Sequence, residues 1–219
     1  MISVGVTVGP DTDVPVATSG LRLFLAVRPA RSVLAVTVLL GGLAAWFGLV
    51  QTPIPTAVEA SRATIPLWRM IAMGAAVLPV LALTSPLADL EVVATQHLMS
   101  MQRRYLTGLS LGCLAIYLAI CAIVLHPAVL AITARAWTAW FGLALIAGSI
   151  LGWRLAWTLP AATAVVLWYW GYGGNQRYHW WEFSARPYDD LPSLFLSASL
   201  FAAGVAAYAA TPWRRRRWT

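Results

Sequence analysis

The sequence predicts an all-α polytopic membrane protein with about six transmembrane helices, and three observations carry that prediction. Of 219 residues, 60% are hydrophobic and only 11% are charged, about half the charged fraction of an ordinary soluble domain. The mean hydropathy is +0.72. Apolar runs recur along the whole chain, each near the roughly 20 residues that a helix needs to cross a bilayer core. Such a chain has too little polar surface to stay dispersed in water, so lipid is its natural solvent.

The net charge is +7, and all fifteen basic residues are arginines. A basic balance is one mark of nucleic-acid binding. Here the arginines gather at the ends of apolar runs, where positive-inside topology places them, and no nucleic-acid partner is implied. The absence of lysine, with the richness in Ala, Gly, Val and Leu, points to a GC-rich bacterial genome.

Residues 1–19 carry Asp11 and Asp13 and no basic n-region, so they read as a mobile cytoplasmic tail rather than a signal peptide. Gly20 to Arg31 alternates apolar residues with arginines and forms an interfacial anchor helix ahead of Pro29. The first run, Ser32 to Val50, closes at Gln51 and the Pro53-Ile54-Pro55 turn. The second, Leu67 to Leu83, is entered by Trp68 and Arg69 and bends at Pro79. A less hydrophobic stretch, Thr84 to Tyr105, leads to the third run, Leu106 to Leu125, which stops at His126-Pro127. The fourth lies within Trp137 to Leu151, and Gly152-Trp153-Arg154 breaks it from a fifth, Leu155 to Trp170. Together these two exceed the length of one spanning helix, so a tight hairpin fits better than a single long helix. After a polar, aromatic segment, Gly171 to Asp190, the sixth run goes from Leu191 to Ala210 and ends at Pro212. Residues 20–213 thus form the transmembrane domain, and 214–219 a basic cytoplasmic tail.

Six spans put both termini on one side. With the termini inside, the inner face holds Arg22, Arg28, Arg31, Arg103, Arg104, Arg154 and Arg214 to Arg217, ten against the outer Arg62, Arg69, Arg135, Arg177 and Arg186. That asymmetry predicts a multi-pass protein of the bacterial plasma membrane with cytoplasmic termini. Twelve tryptophans, several near the ends of runs (Trp68, Trp137, Trp153, Trp168, Trp170, Trp213), fit interfacial belts.

Chemistry is sparse. The stretch Pro86 to Arg104 puts Leu87, Leu90, Ala94, Leu98 and Met101 on one stripe, with Asp89 and Glu91 early and Arg103 and Arg104 late, matching the helix dipole. It is an amphipathic cytoplasmic helix, either lying on the membrane or docking a partner. The segment Gly171 to Asp190 contains Arg177, His179, Trp180, Trp181 and Glu182 in a spacing that matches no zinc signature; a partly re-entrant interfacial loop fits it better. Cys113 and Cys121, eight residues apart, sit about 12 Å apart along a helix and cannot bridge. Gly108 with Gly112, and Gly148 with Gly152, form GxxxG pairs that favour close helix packing. No Asp, Glu or Lys occupies the middle of a run, so ion-coupled transport has no visible binding site.

An amphipathic entry helix, two spans, a cytoplasmic amphipathic helix, three spans, a polar outer segment and a last span resemble the layout of an ABC-2-type permease. The resemblance covers Gly20 to Arg217 and lies in architecture, not in a sharp motif. It implies a coupling helix at Pro86 to Arg104 that docks into a separate cytoplasmic ATPase, with Asp89, Glu91, Gln96, His97, Arg103 and Arg104 as its polar contacts. It further implies an outer re-entrant region at Gly171 to Asp190, and a second permease copy or a related permease as partner within the bilayer. Cofactors are expected on the partner ATPase, as ATP and magnesium, and none on this chain, which has no GxxxxGK[ST] sequence. The chain itself is then not an enzyme. Two alternatives stand beside this reading: a non-transporting scaffold or assembly factor, and a membrane enzyme acting through His179 and Glu182.

Overall fold

The computed structural model describes residues 28–55, 62–84, 96–173 and 177–216. The expected tail at 1–19, most of the expected entry helix and the start of the amphipathic stretch, with Asp89 and Glu91, lie outside the described residues. The fold is almost entirely helical. Among the described residues six helices follow in order: α1 (Ala30–Phe47), α2 (Leu67–Leu81), α3 (Gln96–Cys121), α4 (Pro127–Leu151), α5 (Thr158–Trp170) and α6 (Leu191–Arg216). Two small antiparallel hairpins complete it, β1 (Gln51–Pro55) with β2 (Arg62–Pro66), and β3 (Tyr172–Gly173) with β4 (Arg177–Tyr178).

Local chemistry sets the helix boundaries. Extended Pro66 hands the chain to α2, and Pro127 opens α4 at a position where its missing N–H costs nothing. The His126 Nδ1 accepts the Ala128 N–H at 3.3 Å and caps that end. Gly152 terminates α4 with φ of 97°, a conformation that disfavours any side chain. A short 3-10 turn, Trp153–Leu155, then leads into α5, so runs four and five are two helices joined by a tight turn. Asp190 caps α6, its Oδ2 accepting the Ser193 N–H at 3.0 Å and the Ser193 hydroxyl at 2.5 Å.

Among the described residues four helices are long and apolar enough to cross a bilayer: Ala30–Phe47, Ser100–Cys121, Pro127–Leu151 and Leu191–Thr211. The other two are shorter. At a rise of 1.5 Å per residue, α2 spans about 22 Å and α5 about 20 Å, against a hydrocarbon core of about 30 Å. Three boundaries differ from the sequence reading. The last turns of the amphipathic stretch, from Gln96, continue without a break into α3, because Arg103, Arg104 and Tyr105 are compatible with helix and nothing interrupts them. The fourth helix starts at Pro127 rather than near Trp137, so Arg135 lies inside it. The sixth runs through Pro212 to Arg216.

The helices pack around one continuous buried core, with two groups joined by an extensive α2–α4 contact. In one, α1 lies against α2 and α3; in the other, α4 lies against α6, with α5 alongside. The central helix is α4, with 61% of its span buried against 11% for α6. Helices α4 and α6 run in the same direction, since Phe141 meets Phe201 and Trp153 meets Tyr208. They cross at two glycines. A Cβ on Gly142 would lie 2.4 Å from the Leu200 carbonyl oxygen, and one on Gly204 the same distance from the Gly142 carbonyl oxygen. This backbone contact, and not the two GxxxG pairs, is the close approach. Gly108 has nothing near it, and Gly112 only a Leu34 methyl at 3.9 Å. Gly148 instead makes room for the Trp153 ring as the chain turns.

The tryptophans also sort differently. Trp68 and Trp137 are buried in the core, while among the described residues Trp46, Trp157, Trp170 and Trp180 are exposed. Helix position decides this, because only rings on the outward stripe reach lipid. Both cysteines are free thiols buried in α3, and Thr37 of α1 donates to the Cys113 Sγ at 3.4 Å.

Candidate functional site

One end of the bundle collects the polar chemistry. There α1 and α5 finish, α2 and α6 begin, and both hairpins sit; the Trp68 N–H donates to the Gly48 carbonyl at 3.2 Å, tying α2 to α1. Residues 177–190 form a cap over this end.

Two arginines reach the cap from inside helices. Arg69, in the first turn of α2, is 3% exposed and pairs at 2.8 Å with Glu182, which is 1% exposed. Ser184 joins them: its hydroxyl accepts from Arg69 Nη2 at 2.6 Å and donates to the Glu182 carboxylate at 2.7 Å. The Ser184 N–H adds a third donor to that carboxylate oxygen at 3.1 Å. The guanidinium lies 5.8 Å from the Tyr178 ring centre, a distance at which the ring face attracts a cation. Gly171 stands where a Cβ would come within 2.7 Å of the other Glu182 oxygen, so the missing side chain is what lets the carboxylate lie flat beneath the cap. A charge in this low-dielectric setting is tolerable only with such complete partnering.

Arg135 works differently. Two turns inside α4, it donates from Nε to the Phe183 carbonyl at 3.2 Å, from Nη1 to Pro187 at 2.8 Å and from Nη2 to Arg186 at 2.6 Å. The flat fork of guanidinium donors matches three main-chain acceptors that a lysine ammonium could not reach together. Above it, Arg186 donates to the Tyr178 carbonyl at 3.0 Å and to Asp190 at 2.5 Å. The Arg186 hydrogen bond holds the Asp190 carboxyl well below the usual carboxylate range, and the same bond raises the Arg186 guanidinium.

Between the Arg69–Glu182 pair and the rings of Trp168, Tyr172 and Tyr178 lies a small pocket, closed off by Ile65 and Leu167, with room for about one water. That is too small for a drug-sized ligand.

The structure brings one residue of the expected outer set, Glu182, into this network. Arg177 opens β4, its side chain outside the described residues. His179 is exposed and stacks on Trp181, with ring centres 5.4 Å apart, so it does not join the Glu182 carboxylate. Trp180 is 62% exposed, and Trp181 packs partly against the core. Of the expected coupling contacts, Gln96 and His97 open α3 with side chains outside the described residues, and Arg103 and Arg104 are exposed on it. Among the described residues no three His, Cys, Asp or Glu side chains group to hold a metal.

The residues missed were Arg69, Arg135 and Ser184. A signal existed: two arginines inside helices that are otherwise apolar require buried partners. The nearby acidic segment, with Glu182, Asp189 and Asp190, was the place to seek them. Comparison with protein-family models, with curated proteins and with solved structures found no match.

Proposed function

We propose that the chain is the membrane-spanning subunit of a small bacterial ABC-type exporter, driven by a separate cytoplasmic ATPase. The observation that carries this reading is the order of elements: two helices, a third with exposed arginines in its early turns, two more helices, and a polar cap before the last. On this reading the cap faces outward, both termini lie in the cytoplasm, and Arg103 and Arg104 face the ATPase, which binds ATP and magnesium. On the same reading a lipophilic or amphipathic substrate passes between two permease copies. Exposed apolar side chains on α1 and α6, among them Leu39, Trp46, Phe195 and Phe201, are compatible with both lipid and a second copy.

The test is to purify the tagged protein from its native membrane in mild detergent and identify what accompanies it by mass spectrometry. A stoichiometric P-loop ATPase, lost when Arg103 and Arg104 are replaced by alanine, is the expected result. An intact preparation without an ATPase would instead favour a scaffold or assembly factor, a reading that the hydrogen-bonded cap also suits.

A further inference from the structure

We propose that the small pocket beneath the cap is the site of one bound water that joins three elements, accepting from Trp168 of α5 and Arg69 of α2 and donating to Glu182 of the cap. The inference concerns the cap alone, so it goes beyond the permease reading and stands or falls separately from it.

The protein's own bonds leave three polar groups at this pocket. Arg69 reaches its partners through Nε and Nη2, and Nη1 is in none of those bonds. The donors to the Glu182 carboxylate, from Arg69 and Ser184, all go to Oε1. Oε2 lies over the end of α5, where a Cβ on Gly171 would come within 2.7 Å of it. Trp168 stands on the last turn of the same helix, and its indole Nε1 is shielded from solvent with no protein acceptor. A buried N–H without an acceptor is costly, and native structures rarely leave one.

The chemistry of the walls decides between a dry pocket and a wet one. An apolar cavity stays empty, whereas a polar one with room for a water and about two to four partners fills. Arg69, Trp168 and Glu182 all line this pocket, and it has room for about one water. Two donors match the lone pairs of a water oxygen, and the carboxylate matches one of its protons. A cation in the same space would meet the Arg69 guanidinium, and an anion the Glu182 carboxylate, so a neutral ligand with both donor and acceptor character fits best. Bound there, the water makes Trp168 a member of the Arg69–Glu182–Ser184 network. It adds a bridge between α5 and the cap to the main-chain bond that the His179 N–H donates to the Gly171 carbonyl at 3.0 Å.

The first test is a crystal structure of the full-length protein grown from a lipid mesophase, at a resolution that shows ordered water. The expected result is one density peak within about 2.7–3.2 Å of Trp168 Nε1, Arg69 Nη1 and Glu182 Oε2. No peak between ordered side chains, a peak that touches only one of the three, or a direct protein acceptor for the indole would overturn the site. A solution measurement reaches the same decision without crystals. In full-length protein in nanodiscs, isotope-labelled at the tryptophan indoles and otherwise deuterated, the Trp168 indole proton should show a cross-peak to water. Its nuclear Overhauser effects should have opposite sign in the laboratory and rotating frames, the mark of a long-lived bound water rather than of proton exchange. Trp140, whose indole N–H is also buried without an acceptor but which does not line this pocket, should show none. The Trp168 signal should vanish in Trp168→Phe, which assigns it. It should persist in Tyr172→Phe/Tyr178→Phe, which removes two pocket-lining hydroxyls able to relay a signal. Silence at Trp168, an equal signal at Trp140, or loss of the signal in the tyrosine variant would overturn the proposal.

Discussion

The seam between α4 and α6 and the cap at the end of the bundle hold the chain together by opposite means. The seam has no charge and hardly any side chain at its closest point: two glycines let main chain touch main chain. In lipid, where apolar side chains gain nothing by leaving the solvent, close van der Waals approach of this kind is what drives helices together. The cap has the reverse character. Its main chain is irregular, so its polar groups must find partners, and buried arginines supply them. The seam is thus specified by the absence of atoms and the cap by the placement of charge, and the two should fail differently.

The largest expected effect falls on the seam. Gly142→Leu forces a side chain into the Leu200 and Phe201 main chain, which cannot rotate away. It should cost more than about 4 kcal/mol and abolish a cooperative melt in detergent. Next comes the cap. Glu182→Ala leaves the Arg69 guanidinium buried without its counter-charge, and a drop of about 3–5 kcal/mol in unfolding free energy is expected by denaturant titration. Arg135→Met strands three carbonyls and should cost about 3 kcal/mol on the same measurement, with Arg135→Lys recovering only part of it. If the cap variants proved harsher than Gly142→Leu, the contrast between the regions would be reversed.

A pH measurement sharpens the comparison further. Asp190 is depressed in the folded protein, first by its hydrogen bond from Arg186. A group with a lowered folded pKa adds stability above its unfolded value, near pH 4, and loses that stability as pH falls toward the folded value. The native melting temperature should therefore fall on acidification below about pH 4. Asp190→Asn caps α6 as well as aspartate does but cannot accept the charged bond, so its melt should start lower at pH 7 and change less with acid. The smallest effect is at Gly108, which lies on α3 with open space around it. Gly108→Ala should raise stability by about 0.5–1 kcal/mol, because alanine favours the helix and meets nothing.

These sites also divide what the sequence shows from what it hides. Hydropathy places the cores of the six helices, and Pro127 and the Gly152 break are legible as boundaries because a proline or a glycine acts on its own residue. The GxxxG spacing, by contrast, pointed to Gly108 and Gly112, which touch little. Gly142 and Gly204, 62 positions apart, carry no local pattern. The Arg69 network is hidden for the same reason, since its partner Ser184 is 115 residues away. Arg69 was legible as the entry to a helix and Glu182 as part of an aromatic loop, but a one-dimensional pattern does not say that the two meet. The polar cap was legible as a segment, while its rigidity comes from helix-borne arginines that composition alone assigns to the interface.

The most direct test of this division is hydrogen exchange of the full-length protein in nanodiscs, comparing native chain with Glu182→Gln. If the seam and the cap are independent, amides of residues 67–70 and 182–184 should exchange at least about tenfold faster in the variant while those near Gly142 and Gly204 keep their native rates. Equal acceleration at both places would mean that the bundle opens as one cooperative unit, and would contradict the account.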